Sequence, residues 1–149
     1  MRVRAFAAER GVDIAVRRFP ATTRTAVDAA REIGTTVERI VKSLVFVAGE
    51  GAVVALCSGA ARVHESRLAS ALDVSTVRRA TADEAKRWTG YAIGGVPPFA
   101  HATDCAVVCD RGLLAYDEVW AASGLPDAVF PIAPAELVRI AGATVADIT

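Results

Sequence analysis

Two periodicities alternate along the 149-residue chain: short β-branched apolar runs, and stretches in which apolar residues return every three or four positions. The run over residues 40–47, interrupted only by Lys42 and Ser43, predicts a largely buried strand. Gly49-Glu50-Gly51 turns the chain, and residues 52–57 predict the second strand of a hairpin. Helical spacing and end signals predict helices over residues 2–10, stopped by Gly11, and over 25–33, with Thr25 as N-cap and Gly34 beyond the end. Further helices are expected over 65–72, from the capping box Thr81-Ala82-Asp83-Glu84 to about Trp88, and over 134–140, with Pro134 in the first turn and Gly142 as the stop. Residues 12–19 read as a strand or extended arm ended by Pro20, and 35–38 as a second cap and turn. Short strands are expected at 74–78, 106–108, 113–115 and 128–132, with a helical turn within 116–122. Strands and helices mix without a regular strand–helix–strand repeat. The predicted class is therefore α+β (mixed α/β), one domain over residues 1–149 around a mostly antiparallel sheet.

Composition supports a folded chain: 53% of residues are hydrophobic and 23% charged, enough apolar material for a core without metal or disulfide. Seventeen basic and seventeen acidic residues cancel, which argues against a generic nucleic-acid or membrane-surface binder. Their distribution is uneven. Residues 1–31 hold seven arginines against Glu9, Asp13 and Asp28, while residues 104–149 hold seven acids against Arg111 and Arg139. The N-terminal arm can meet a phosphate-bearing partner, or it is a solvated mixed surface. Arg2 and Arg4 precede a short apolar stretch cut off by Glu9-Arg10, so no signal peptide is read; no run reaches 18 apolar residues, so no membrane span is expected. Cys57, Cys105 and Cys109 are odd in number with no CxxC pair. On one strand, Cys105 and Cys109 lie about 13 Å apart, too far to share an ion. Buried free thiols in a reducing cytoplasm, with no metal and no cofactor, are the expectation.

Two features carry candidate chemistry. The first is the stretch from Gly90 to His101, Gly-Tyr-Ala-Ile-Gly-Gly-Val-Pro-Pro-Phe-Ala-His. Glycines permit close approach of a ligand and two prolines stiffen the loop, so N–H groups of Gly94, Gly95 and Val96 can hold a carbonyl oxygen or carboxylate. The plainer alternative is a tight helix–strand connection. The second is Lys42, one of only two lysines. Strand alternation puts it on the face of Leu44 and Phe46, where it guards an edge or reaches into a polar cavity. His64 and His101 form no metal motif, no serine sits in GxSxG, and the aspartates fall at turns.

Four blocks, taken together in order, resemble the YbaK/prolyl-tRNA-synthetase-associated editing domain family. They are Thr25-Ala-Val-Asp-Ala-Ala, Val41-Lys42-Ser43-Leu44-Val45-Phe46, Gly90 to Phe99, and Ser123-Gly-Leu-Pro-Asp-Ala-Val-Phe130 with Pro134-Ala-Glu-Leu. The resemblance implies a barrel-like, mostly antiparallel sheet flanked by helices, in a free-standing member of the family. It implies a trans-editing deacylase that hydrolyses the ester of a mischarged tRNA, attacked by water or by a group of the substrate itself. Lys42, Gly94, Gly95 and Val96 match the family's catalytic positions; Thr25, Pro97, Pro98, Phe99 and His101 match its substrate-binding positions. The partners it implies are the 3′ end of a mischarged tRNA and a synthetase or elongation factor. Cysteine-specific relatives carry an aspartate in the strand matched by residues 128–132, where this chain has Val129, and Ala100 stands where Gly is usual. A non-catalytic module that binds an aminoacyl or nucleotide end, and a hydrolase of small non-tRNA esters or amides, are the rival readings.

Overall fold

The hairpin around Gly49-Glu50-Gly51 is the spine of the molecule. In the computed structural model, which describes residues 2–19 and 25–149, β2 (Val41–Ala48) and β3 (Gly51–Ser58) pair antiparallel from Val41↔Ser58 to Ala48↔Gly51. Apart from its ends β3 is buried, because both of its faces are covered. Val54 and Leu56 pack in the main core with Phe99 and Phe130, while Val53 and Ala55 pack against Leu68 and Ala69 of α3 (Glu65–Leu72). This explains why both strands read as near-continuous apolar runs instead of alternating ones.

The hairpin is the centre of a five-stranded sheet, order β4-β2-β3-β5-β8. Here β4 is Arg78–Arg79, antiparallel to β2; β5 (Ala106–Asp110) and β8 (Thr144–Ala146) add in parallel. A second sheet of three antiparallel strands has the order β1-β7-β6, from Arg17–Arg18, Ala128–Ile132 and Val119–Ala122. A parallel bridge, Ile40↔Trp120, joins the two sheets. The fold is thus mixed α and β with antiparallel pairings in the majority, as expected, but the sheets meet at one corner and do not close into a barrel. Helices α1 (Arg2–Glu9), α2 (Ala26–Ile33), α4 (Ala82–Thr89) and α5 (Pro134–Ala141) complete the described structure. Thr25 caps α2 by accepting the Asp28 N–H at 3.0 Å, and the Thr81/Glu84 capping box forms in full.

Local chemistry explains where the structure departs from the sequence pattern. Residues 113–115 are not a strand: the Asp110 carboxylate accepts the Gly112 N–H at 3.2 Å and starts a 3₁₀ turn, Arg111–Ala115. The helical turn expected within 116–122 is instead strand β6, whose Val119 and Ala121 are buried in alternation against β7. The strands expected at 74–78 and within 12–19 shrink to two paired arginines each. Pro20 lies outside the described residues. Cys57 and Cys109 are buried and Cys105 is half-buried, all as free thiols. Among the described residues no group of three His, Cys, Asp or Glu side chains can hold a metal, and no helix is long and apolar enough to cross a membrane.

Candidate active site

The site follows from an uncovered stretch of edge. On the side of β2 away from β3, pairing among the described residues occurs at two places: the bridge at Ile40↔Trp120, and the contact of Val45, Phe46 and Val47 with β4 and Ala80. Between them β2 and β6 lie side by side without a further ladder pairing among the described residues. The gap is a cavity of about 270 Å³, walled by residues 40–45, Arg79, Ala80 and Ala85, by Trp120, Ala122, Pro126 and Val129, and by Phe19, Thr25, Ala26 and Ala29. Ile93, Gly94 and Val96 of the Gly/Pro loop supply the remaining wall. The cavity wraps around the strand edge, so both faces of β2 contribute: Val41, Ser43 and Val45 from one, Lys42 and Leu44 from the other.

Of the residues singled out in the sequence, Lys42, Gly94, Val96 and Thr25 therefore share one cavity. Gly95, Pro97, Pro98, Phe99 and His101 do not line it. Lys42 is half-buried, and its ammonium donates to the Ala61 carbonyl, which fixes the side chain across the strand end. Its cross-strand neighbour Cys57 is fully buried. Burial raises the Cys57 thiol pKa, with Lys42 opposing, and burial pushes Cys109 up to about 11. Both thiols stay protonated near neutral pH and are poor nucleophiles.

The Gly/Pro loop is held from behind. Gly94 takes a φ of +94°, which lets the chain turn and the Gly95 N–H close on the Ala92 carbonyl at 3.0 Å. That bond removes Gly95 from the three donors expected from the sequence. The N–H groups of Gly94 and Val96 have no backbone partner among the described residues. The side chain of His101 fastens the far end of the loop, with Nε2 at 2.7 Å from the Pro97 carbonyl. A carbonyl only accepts, so Nε2 carries the proton. Ala100 sits in the left-handed region at φ 65°, and its carbonyl accepts from Tyr91 Oη and from Arg2, each at 3.0 Å. Phe99 lies in the core, stacked on Phe6 at 5.3 Å. His101 borders a separate hollow with Cys105 and Thr103.

Two predictions follow from this loop. Gly95 is needed for space, not for a positive φ. A Cβ there would stand 3.0 Å from the Leu125 carbonyl carbon and 3.1 Å from the Gly124 oxygen, both main chain. Gly95→Ala is expected to push the 90–96 and 123–127 loops apart, costing about 1–3 kcal/mol of stability and at least tenfold in activity. Chemical denaturation and steady-state kinetics check both numbers. His101 titrates below its ordinary value of 6.5, chiefly because it is buried. The unfolded chain takes up that proton near 6.5 and the folded chain only at lower pH. The stabilisation is therefore complete above about 6.5 and is lost as pH falls through the folded-state pKa. Melting temperatures between pH 7 and 5 should fall less for His101→Gln, which keeps a donor and cannot titrate, than for the wild type.

The charge map is also reordered. In the N-terminal arm Arg18 pairs with Asp127 at 3.0 Å, Arg31 with Asp28 and Arg10 with Glu9, while Arg2 lies over the Tyr91 ring. Among the described residues the cation at the cavity besides Lys42 is Arg79, whose guanidinium lies over Phe46 at 5.5 Å; its neighbour Arg78 is tied to Glu84. Sequence reasoning passed over Arg79, Ser43, Trp120 and the small residues Ala80, Ala85 and Ala122. Of these only Arg79 and Ser43 carry reactive groups, and Arg79 announced itself only as half of an Arg-Arg pair.

Comparison with known proteins places this arrangement in a class. The profile of the aminoacyl-tRNA editing domain matches residues 20–140. A crystal structure of a candidate trans-editing enzyme for prolyl tRNA synthetase superposes with a TM-score of 0.94 at 44% identity, covering 99% of this chain and 94% of that one. The uncharacterized protein YwhH of Bacillus subtilis (strain 168) is 32% identical over 82% of this chain and 78% of its own length. The proline–tRNA ligase of Thermotoga neapolitana is 33% identical over 90 residues, which is 60% of this chain but only 15% of the ligase. The fold is that of tRNA-editing domains, and this chain belongs to the aminoacyl-tRNA editing domain family.

Proposed function

We propose that the chain is an aminoacyl-tRNA deacylase acting in trans, which hydrolyses the ester joining a wrong amino acid to the 3′ end of a tRNA. The observation that carries this reading is the convergence of Lys42 with the Gly94–Val96 turn on one largely apolar cavity. Its volume, about 270 Å³, is near the lower end for small-molecule sites, enough for an aminoacyl group but not for a nucleotide as well. The aminoacyl group enters; the terminal nucleotide stays at the mouth. Water attacks the ester carbon, directly or after a group of the substrate itself has done so. The bond to the terminal ribose oxygen breaks, that oxygen takes up the proton the water gives up, and free amino acid and uncharged tRNA leave. The N–H groups of Gly94 and Val96 take the charge that develops on the carbonyl oxygen, and the Lys42 ammonium anchors the anionic tRNA end. Thr25 serves the site by capping α2, whose Ala26 and Ala29 form the wall. Pro97, Pro98, Phe99 and His101 serve it by holding the loop.

The partners in this reading are a mischarged tRNA and, for delivery, a synthetase or elongation factor, in the cytoplasm. The test is release of amino acid from a panel of mischarged tRNAs by purified protein. Release of one or a few amino acids supports the reading and names the substrate. No release across a broad panel overturns it in favour of a non-catalytic module that binds an aminoacyl or nucleotide end.

A further inference from the structure

Every aminoacyl ester carries an α-amino group beside the scissile carbonyl, and a cavity that takes it from water must supply acceptors. Carboxylates are the usual choice. Among the described residues walling this cavity there is none: the charged side chains are Lys42 and Arg79, both cationic, and Val129 adds only apolar surface. Two cations on the wall disfavour a bound ammonium and favour the neutral amine, for which neutral acceptors suffice.

Strand β2 supplies them. The Val45 carbonyl accepts from Ala80 N–H at 3.0 Å, so the main-chain groups of Val45 point out of the β2 edge; by strand alternation those of Ser43 point the same way. Ser43 falls between the bridge at Ile40 and the pairing at Phe46, and no strand of the described residues pairs with it on that side. Its hydroxyl is a second loose end. Ser43 Oγ is buried and has no hydrogen-bond partner among the described residues, in a residue that lines the cavity. A buried orphan hydroxyl beside an open carbonyl is costly to keep and calls for a ligand.

We infer that Ser43 receives the α-amino group of the bound aminoacyl moiety, through its hydroxyl and its main-chain carbonyl. This assignment rests on the deacylase reading of the cavity. It sets the acyl group in one orientation, with the amine on the β2 edge and the ester carbonyl turned toward the Gly94 loop. It also gives the cavity a means of selecting amino acids over simple carboxylic acids without a charged residue.

The test uses two non-hydrolysable probes, 3′-(L-alanylamino)-3′-deoxyadenosine and its 3′-propionylamino counterpart, which lacks only the amino group. Binding is measured by calorimetry for the wild type and for Ser43→Ala. The wild type is expected to prefer the amine-bearing probe by about tenfold. In Ser43→Ala the preference should drop to about twofold, with affinity for the propionyl probe unchanged and a melting temperature equal to or above the wild type's, since the hydroxyl removed has no partner. Equal weakening toward both probes, a wild type without preference, or a wild type that binds neither probe overturns the assignment. Hydrolysis is scored separately. A chain that deacylates no tRNA yet keeps the amine preference overturns the deacylase reading alone, and one that deacylates without the preference overturns this assignment alone.

Discussion

Lys42→Ala is expected to lower kcat/KM for deacylation of mischarged tRNA by about 10²–10³-fold while leaving the fold in place. The size of the effect comes from the setting. Lys42 is half-buried at the end of an apolar cavity, and its ammonium is oriented by the Ala61 carbonyl, so little reorganisation is needed when an anionic group arrives. An oriented donor in a water-poor site is worth far more than one in bulk solvent, and removing one such donor typically costs this much. The structural cost is small by comparison. One hydrogen bond to a neutral carbonyl is lost, about 1 kcal/mol, and alanine still fits the strand register opposite Cys57. Lys42→Met keeps the stem that covers the strand end and isolates the charge. A methionine variant as inactive as the alanine one, with both melting close to wild type, assigns the loss to the ammonium. Unchanged turnover in either variant removes Lys42 from the mechanism, and the Gly94–Val96 donors would then have to act with Arg79.

How much of this could be read from the chain depends on how local each cause is. The β2–β3 hairpin, α3, the capped α4 and the proline-started α5 have their causes within a dozen residues of sequence, and they appear where the pattern put them. The strands Arg17–Arg18 and Arg78–Arg79 have none of their own. Each exists because a neighbouring strand offers hydrogen bonds, so their sequences give no period to read. The 3₁₀ turn after β5 depends on one carboxylate–amide contact, which outweighed the strand-like Leu113-Leu114. The site divides in the same way. Lys42 stands out because a charge interrupts an apolar run, and the Gly/Pro loop because its composition is unusual. The function of Gly95 was not legible, because what forbids a side chain there is the main chain of Gly124 and Leu125, distant in sequence. Ser43 was not legible either, since its significance lies in what it fails to contact.

Phe99→Ala is expected to be the most destabilising of these substitutions, and to act on the fold before it acts on substrate. The resemblance marked Phe99 as a substrate-binding position, yet its ring is only 2% exposed and does not line the cavity. It stacks on Phe6 of α1 at 5.3 Å and 17°, and meets Phe130 of β7 at 5.7 Å and 53°. One ring thus ties the N-terminal helix, the second sheet and the Gly/Pro loop together. Truncation leaves a phenyl-sized void among groups that cannot close it without moving the strand or the helix. The cost is about 3–5 kcal/mol, against a total stability of about 5–15 kcal/mol for a domain. For a chain of this length that is a fall of roughly 6–20 °C in melting temperature. Phe99→Leu refills most of the volume and should recover most of the loss. The two roles separate in kinetics taken well below the melting point of each variant. A core role predicts that Phe99→Leu keeps a near-normal KM and that activity tracks the folded fraction. A variant that melts like the wild type but binds tRNA more weakly would return Phe99 to the substrate-binding surface, which requires the loop to turn its ring outward, away from Phe6, when the acyl group enters.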